Sequence, residues 1–269
     1  MKIGVAQIGS IKGRPDLNVT TIIAAMADAS KQQCRLLITP ECALSGYMFE
    51  TREEIEAVAI SVESATVADL AAACSELKMH IVVGLLEADG DKIYNSALTI
   101  GPKGILGVHR KRHLPLLGAD RFVDQPQDSV PPVYDTEIGK VGVAICYEIR
   151  FPEVIRTLAL AGADIVALPT AWPTEARMLP EIFTRVRAAE NFVYFLAANR
   201  NDVEGSAEFM GESQIVAPSG QLLINGGVTT GVYCADFDAD LARRKSIIRD
   251  PGVYEVHPFK DRRPQTYIL

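Results

Sequence analysis

Three residues of different chemistry stand where apolar runs give way to polar ones. Cys146 closes "KVGVAIC", Glu41 follows "RLLITP" and Lys111 follows "ILGVHR". Taken singly, each has an ordinary reading: free cysteine is among the most buried residue types, a carboxylate beyond a strand is commonly a solvated terminus, and "HRKRH" is a basic loop. Taken together they make a reaction. A thiol becomes the stronger nucleophile when a base takes its proton, a role Glu41 can fill; Lys111, with the main-chain N–H of Tyr147, can receive the oxyanion of a tetrahedral intermediate. The same acid can then protonate a leaving amine and activate water to clear the acyl group.

Such a site requires three strand ends to meet. "KIGVAQI" and "RLLIT" read as strands on either side of a helix over 16–33 opened by Asp16, and 65–78 places Val67, Leu70, Ala71, Cys74 and Leu77 on one helical face. "IVVGLLEA", "IYNSALTI" and "ILGVHRK" read as strands, the last two joined by the turn "GPKG". "VGVAIC" is then a strand, 152–162 a helix, "DIVAL" a strand, the region near 178–190 a helix and "FVYFLAAN" a strand. "SQIVAP", "QLLI" and "GVYCADF" add three more between Ser-Gly and Gly-Gly turns. Hairpins mixed with helical crossovers place the chain in the α/β class, where sites gather beyond the carboxyl ends of strands.

With these motifs in order, the sequence resembles the nitrilase, or carbon–nitrogen hydrolase, superfamily over nearly its whole length. The segments that carry the resemblance are "TPECALSGY", "HRKRHLP", "ICYEIRFPE", "RAAEN", "GESQIVAPSG" and "KDRRP". It implies a four-layer αββα sandwich that pairs across a dimer interface into αββααββα, so a homodimer or higher homo-oligomer is expected. It also implies a Glu41–Lys111–Cys146 triad with Glu41 as general base, Lys111 as oxyanion donor and Cys146 as nucleophile, and neither a metal nor an organic cofactor. Many relatives carry a second active-site glutamate shortly after the lysine, and "HLPLLGADRFVDQPQD" has none. Asp120 is the nearest substitute, with Asp124 behind it.

Other residues divide between packing and pocket. Trp172, the one tryptophan, reads as packing or as a wall over the nucleophile; Tyr47 stands similarly, its hydroxyl directed at substrate or at Glu41. Glu148 is either a substrate-pocket group or a structural hydrogen-bond acceptor. Arg150 and Glu153 read as ion-pair partners near a subunit interface, and Arg187 and Glu190 as a pair on one helical face. His80, His109, His113 and His257 show no ligand spacing.

The chain of 269 residues is 48% hydrophobic, enough for one large domain, and we expect one over 1–269 with 250–269 as a C-terminal arm. A net charge of −7 with dispersed lysines and arginines argues against nucleic acid as partner. No segment approaches ~20 uninterrupted apolar residues and the N-terminus lacks an export pattern, so neither membrane nor secretion is expected. Five scattered cysteines fit a reducing cytoplasm. The expected activity is hydrolysis of a non-peptide C–N bond in a small aliphatic primary amide, giving acid and ammonia. "CYE" resembles amidase and carbamoylase branches more than nitrilases, which leaves N-carbamoyl compounds and nitriles as alternatives. From another class, a catalytically silent assembly module is disfavoured by the intact triad.

Overall fold

A computed structural model describes residues 1–127 and 130–267. The first half of the chain builds β1 (Lys2–Gln7), α1 (Pro15–Lys31), β2 (Cys34–Ile38), α2 (Arg52–Glu56), α3 (Ala65–Leu77), β3 (His80–Asp89), β4 (Lys92–Gly101) and β5 (Gly104–Arg110). The second half builds β6 (Val133–Asp135), β7 (Lys140–Val143), α4 (Pro152–Leu160), β8 (Ile165–Pro169), α5 (Thr184–Asn191) and β9 (Tyr194–Ala198). A small hairpin follows, β10 (Val203–Glu204) with β11 (Ala207–Glu208), then β12 (Gln214–Val216), β13 (Leu222–Asn225), β14 (Gly231–Asp236) and α6 (Ala239–Arg243). A second hairpin, β15 (Ile247–Asp250) with β16 (Tyr254–Val256), lies near the C-terminus.

Two six-stranded sheets result, in the orders β14-β1-β2-β3-β4-β5 and β13-β12-β9-β8-β7-β6. Each has three parallel central strands and antiparallel flanks. The faces turned toward each other bury Val5, Ile38 and Val82 from one sheet with Val143, Ala167 and Leu196 from the other. The outer face of the first sheet packs Leu37, Ile81 and Val83 against Ile22 and Met26 of α1 and Leu70 of α3. On the second sheet, Val154, Ile155 and Leu158 of α4 and Ala188 of α5 do the same. The layers therefore run helix, sheet, sheet, helix.

Local signals explain the helix ends. α1 starts on Pro15, whose missing N–H is no loss in a first turn. The Ser64 side chain accepts the Val67 N–H at the start of α3, and Lys78 ends it in the left-handed region at φ 50°. One expectation needs correction: the strand read through Cys146 stops at Val143. The helix expected near 178–190 is present, opening as a π-helix over Leu179–Phe183 and continuing as α5. The tail, which has no clear periodicity, nonetheless forms a hairpin, and it begins at Ile247, ahead of the expected arm; the arm's last two residues lie outside those described.

Candidate active site

The three strand ends share a direction for a topological reason. β2 and β3 are parallel; β4 reverses and β5 reverses again, so the carboxyl ends of β2 and β5 lie at the same edge. Glu41 follows β2 by three residues and Lys111 follows β5 directly. The Glu41 segment crosses β3 at Gly84, where an added Cβ would stand 2.4 Å from the Pro40 carbonyl oxygen and 2.6 Å from the Cys42 nitrogen. Only glycine leaves that passage open.

Opposite them, the second sheet presents Cys146. The Ala144 N–H still bonds the Ala167 carbonyl at 3.1 Å, but the chain then turns into a 3-10 helix over Cys146–Arg150. Cys146 itself sits at φ 43°, a conformation that costs an L-residue about 1 kcal/mol or more. Such strain in a buried turn holds one side chain out of the ladder.

Lys111 is the centre of the polar cluster. Its Nζ is 2.6 Å from Glu41 Oε1 and 2.5 Å from Asp120 Oδ2, with all three side chains shut off from solvent. Asn95, from β4, donates through Nδ2 to Glu41 Oε1 at 2.8 Å and to Asp120 Oδ1 at 2.7 Å. The Tyr47 hydroxyl donates to Asp120 Oδ2 at 2.7 Å, not to Glu41. Asp120 thus occupies the place facing the lysine, carried there by a 3-10 turn at Gly118–Arg121. Asp124 instead accepts the Ile93 N–H and pairs with Arg52, each at 2.9 Å.

Burial acts on both the thiol and the acid. Burial raises the Glu41 pKa, with Lys111 working against the shift and Asp120 adding to it. Burial and then the Glu41 charge push the Cys146 thiol up, opposed by Lys111, the Ala171 N–H and the Thr170 hydroxyl. For Lys111 burial disfavours the charge, yet Asp120 and Glu41 hold it well above the ordinary lysine range. Glu41 Oε2 is buried without a donor among the described residues, and the Glu41 charge is near enough to Cys146 to act on its thiol. Cys146, 9% exposed, is the member of the cluster nearest to solvent.

The remaining expectations sort clearly. Trp172 is buried, its backbone held by Asn199 through a 2.7 Å bond from the Trp172 N–H. Its indole Nε1 is buried without a partner among the described residues. Glu148 is fully enclosed, and protein donors take both its oxygens, so it faces no pocket. No ion pair joins Arg150 to Glu153 among the described residues; the Arg150 guanidinium lies 5.9 Å over the Phe183 ring. Arg187 and Glu190 do pair, at 2.8 Å. Asn95 and Asn199 are the polar groups that sequence reasoning missed. A 1170 Å³ cavity lined by Glu87, Tyr94 and Arg110 opens on the opposite face of the same strands and does not include Cys146.

A carbon–nitrogen hydrolase model matches residues 2–245. The chain belongs to the carbon–nitrogen hydrolase family. It is therefore an enzyme acting on C–N bonds other than peptide bonds. It is 36% identical over 271 residues to a protein of Pyrococcus abyssi named nitrilase, covering 99% of each chain. It is 31% identical over 243 residues to the Bos taurus omega-amidase NIT2, covering 86% of each. Among solved structures it is similar to the Nesterenkonia AN1 amidase of the nitrilase superfamily, at TM-score 0.78 and 27% identity over 91% of this chain and 93% of that one. Another structure of that amidase carries acrylamide added to its active-site cysteine; it has TM-score 0.78 and 27% identity, over 90% and 95% of the two chains. No helix among the described residues is long and apolar enough to cross a membrane.

Proposed function

We propose that this hydrolase converts a small aliphatic primary amide to its carboxylic acid and ammonia through an acyl-enzyme on Cys146. The observation that carries the reading is a buried Glu41 carboxylate whose Oε2 has no donor among the described residues, beside an ammonium fixed by two acids and near enough to Cys146 for its charge to act on the thiol. Cys146 Sγ bonds the carbonyl carbon as its proton passes to Glu41, a concerted step suited to a thiol that burial keeps neutral. Lys111 Nζ and the Tyr147 N–H receive the oxyanion. Collapse breaks the C–N bond, and the proton on Glu41 leaves with nitrogen as ammonia. Water then attacks the thioester, giving Glu41 a proton that returns to sulfur as the acid departs.

Asp120 acts in this scheme on Lys111, keeping it charged and aimed, while Trp172 and Tyr47 wall the acyl side. The relative named omega-amidase and the similar amidase structures favour amides. The relative named nitrilase supplies a second reading, in which a nitrile carbon takes the same attack. The test is ammonia release from short linear amides, ω-amides of dicarboxylic acids, N-carbamoyl compounds and nitriles, with intact mass recorded on a slow substrate. Turnover of amides with an acyl adduct that Cys146→Ala abolishes is expected. Turnover of nitriles alone, or carbon dioxide released with the ammonia, would overturn the amide assignment.

We further propose that residues 1–269 act as one domain that pairs with a second copy into αββααββα. Exposed Leu160, Ile182 and Val186 support a contact through the α4 and α5 layer, with the arm at 250–269, where Val253 and Tyr254 are exposed, reaching across. Light scattering should give a dimer or larger, reduced to monomer by Ile182→Glu with Val186→Glu.

A further inference from the structure

We infer that Glu148 is a positioning residue that fixes the distance between Lys111 and Cys146; this rests on the triad reading above. One carboxylate ties together the two segments that carry them. Glu148 Oε2 accepts the Ile145 N–H at 2.8 Å, and Ile145 is the residue before the nucleophile. Oε1 accepts the Arg112 N–H at 3.1 Å, and Arg112 is the residue after the oxyanion donor. His109, two residues before Lys111, contacts Oε2 at 2.7 Å, and His113 lies 3.5 Å from Oε1. Every bond lands on the backbone or side chain of a neighbour of the reacting pair.

The imidazole tautomer follows from elementary donor counting. An Arg112 guanidinium nitrogen lies 3.2 Å from His109 Nδ1, and a guanidinium only donates, so Nδ1 holds a lone pair. Nε2 then carries the proton and donates it to Glu148. The carboxylate therefore faces donors alone. Although burial opposes its charge, His109, His113 and the Ile145 N–H hold Glu148 well below the usual carboxylate range. A neutral amide of the same size cannot replace it, because its NH₂ would meet a donor on whichever side it faced.

Reacting groups misplaced by about 1 Å lose on the order of 10²-fold in rate. We expect Glu148→Gln to lower kcat about 10²-fold per titratable Cys146 thiol, with KM within about threefold. A residue that served folding alone would reduce the number of competent sites and leave kcat per site unchanged. The tautomer supplies an independent arm: His109→Gln keeps a donor toward Glu148 and an acceptor toward Arg112, so it should retain at least about tenfold more kcat than His109→Leu. That arm carries the test if Glu148→Gln does not fold. Normal kcat per thiol in Glu148→Gln, or equal rates in the two His109 variants, overturns the inference. Activity surviving in Cys146→Ala would instead overturn the triad reading, which separates the two failures.

Discussion

Lys111 is a cation closed between two buried carboxylates, so its removal changes rate and titration together. Lys111→Gln should lower kcat about 10²-fold or more, the usual effect of losing one oxyanion donor. The acid limb of kcat/KM should also move to higher pH. Glu41 must be unprotonated to take the thiol proton; burial already raises its pKa and Lys111 opposes that rise, so losing the lysine raises it further. A pH–rate profile of both proteins checks the shift, and an unmoved limb would deny Glu41 the base role. Cys146 allows a second test, on stability. Because its backbone is left-handed, Cys146→Gly should be more stable than Cys146→Ala by about 1 kcal/mol, despite the looser unfolded chain, as measured by denaturant melts. The residues of the proposed triad could be singled out in the sequence because each is a charged or nucleophilic group abutting an apolar run. Asn95 was not: one amide inside "IYNSALTI" reads as a solvated strand position until pairing with β5 sets it beside Lys111, whose N–H bonds the Asn95 carbonyl at 2.8 Å.

At the scale of elements, the site depends on how closely neighbouring segments approach. Gly84→Ala would put a methyl group against the backbone on both sides of Glu41, which cannot yield as a flexible side chain would. We expect the variant to fold with a melting temperature lowered by roughly 2 kcal/mol worth of overpacking and to lose at least tenfold in kcat. Wild-type kinetics would place the Glu41 segment elsewhere. Strand and helix positions were largely readable from period alone, since "IVVGLLEA" and 65–78 bury their faces as that reading requires. The end of β7 was hidden because "VGVAIC" is apolar throughout, whereas the turn at Cys146 is set by a local bond from the Ile145 N–H to the Glu148 side chain and by the Ala144 bond to β8. Arg150 and Glu153 misled for a related reason. Their spacing suits a continuous helix, but Phe151 breaks the run between the 3-10 turn and α4.

Across the whole molecule, the C-terminal segment is fastened to the body by Lys245, which donates to the carbonyls of Ala163, Asn191 and Phe192 at 3.2, 3.2 and 2.8 Å. Burial lowers its pKa to about 8. The folded state therefore releases this proton before the unfolded chain, whose lysines titrate near about 10.4, and the penalty for holding the charge is full below pH 8 and fades as pH rises between the two values. Relative to Lys245→Met, the wild type should gain thermal stability across that window; a constant difference in melting temperature would contradict the assignment. Alternating periods pointed to the α/β class and the family resemblance to the four layers, but neither to the place of β14, which returns from the far end of the chain to pair with β1. That closure has a consequence for synthesis. At roughly 5–20 residues per second a ribosome needs on the order of 10–50 s between releasing β1 and releasing its outer neighbour. Throughout that interval the first strand made has an open edge, a template for other nascent chains. A chain stopped before residue 231 should accumulate as aggregate unless a chaperone covers β1, and should become soluble when the missing strand is supplied in trans.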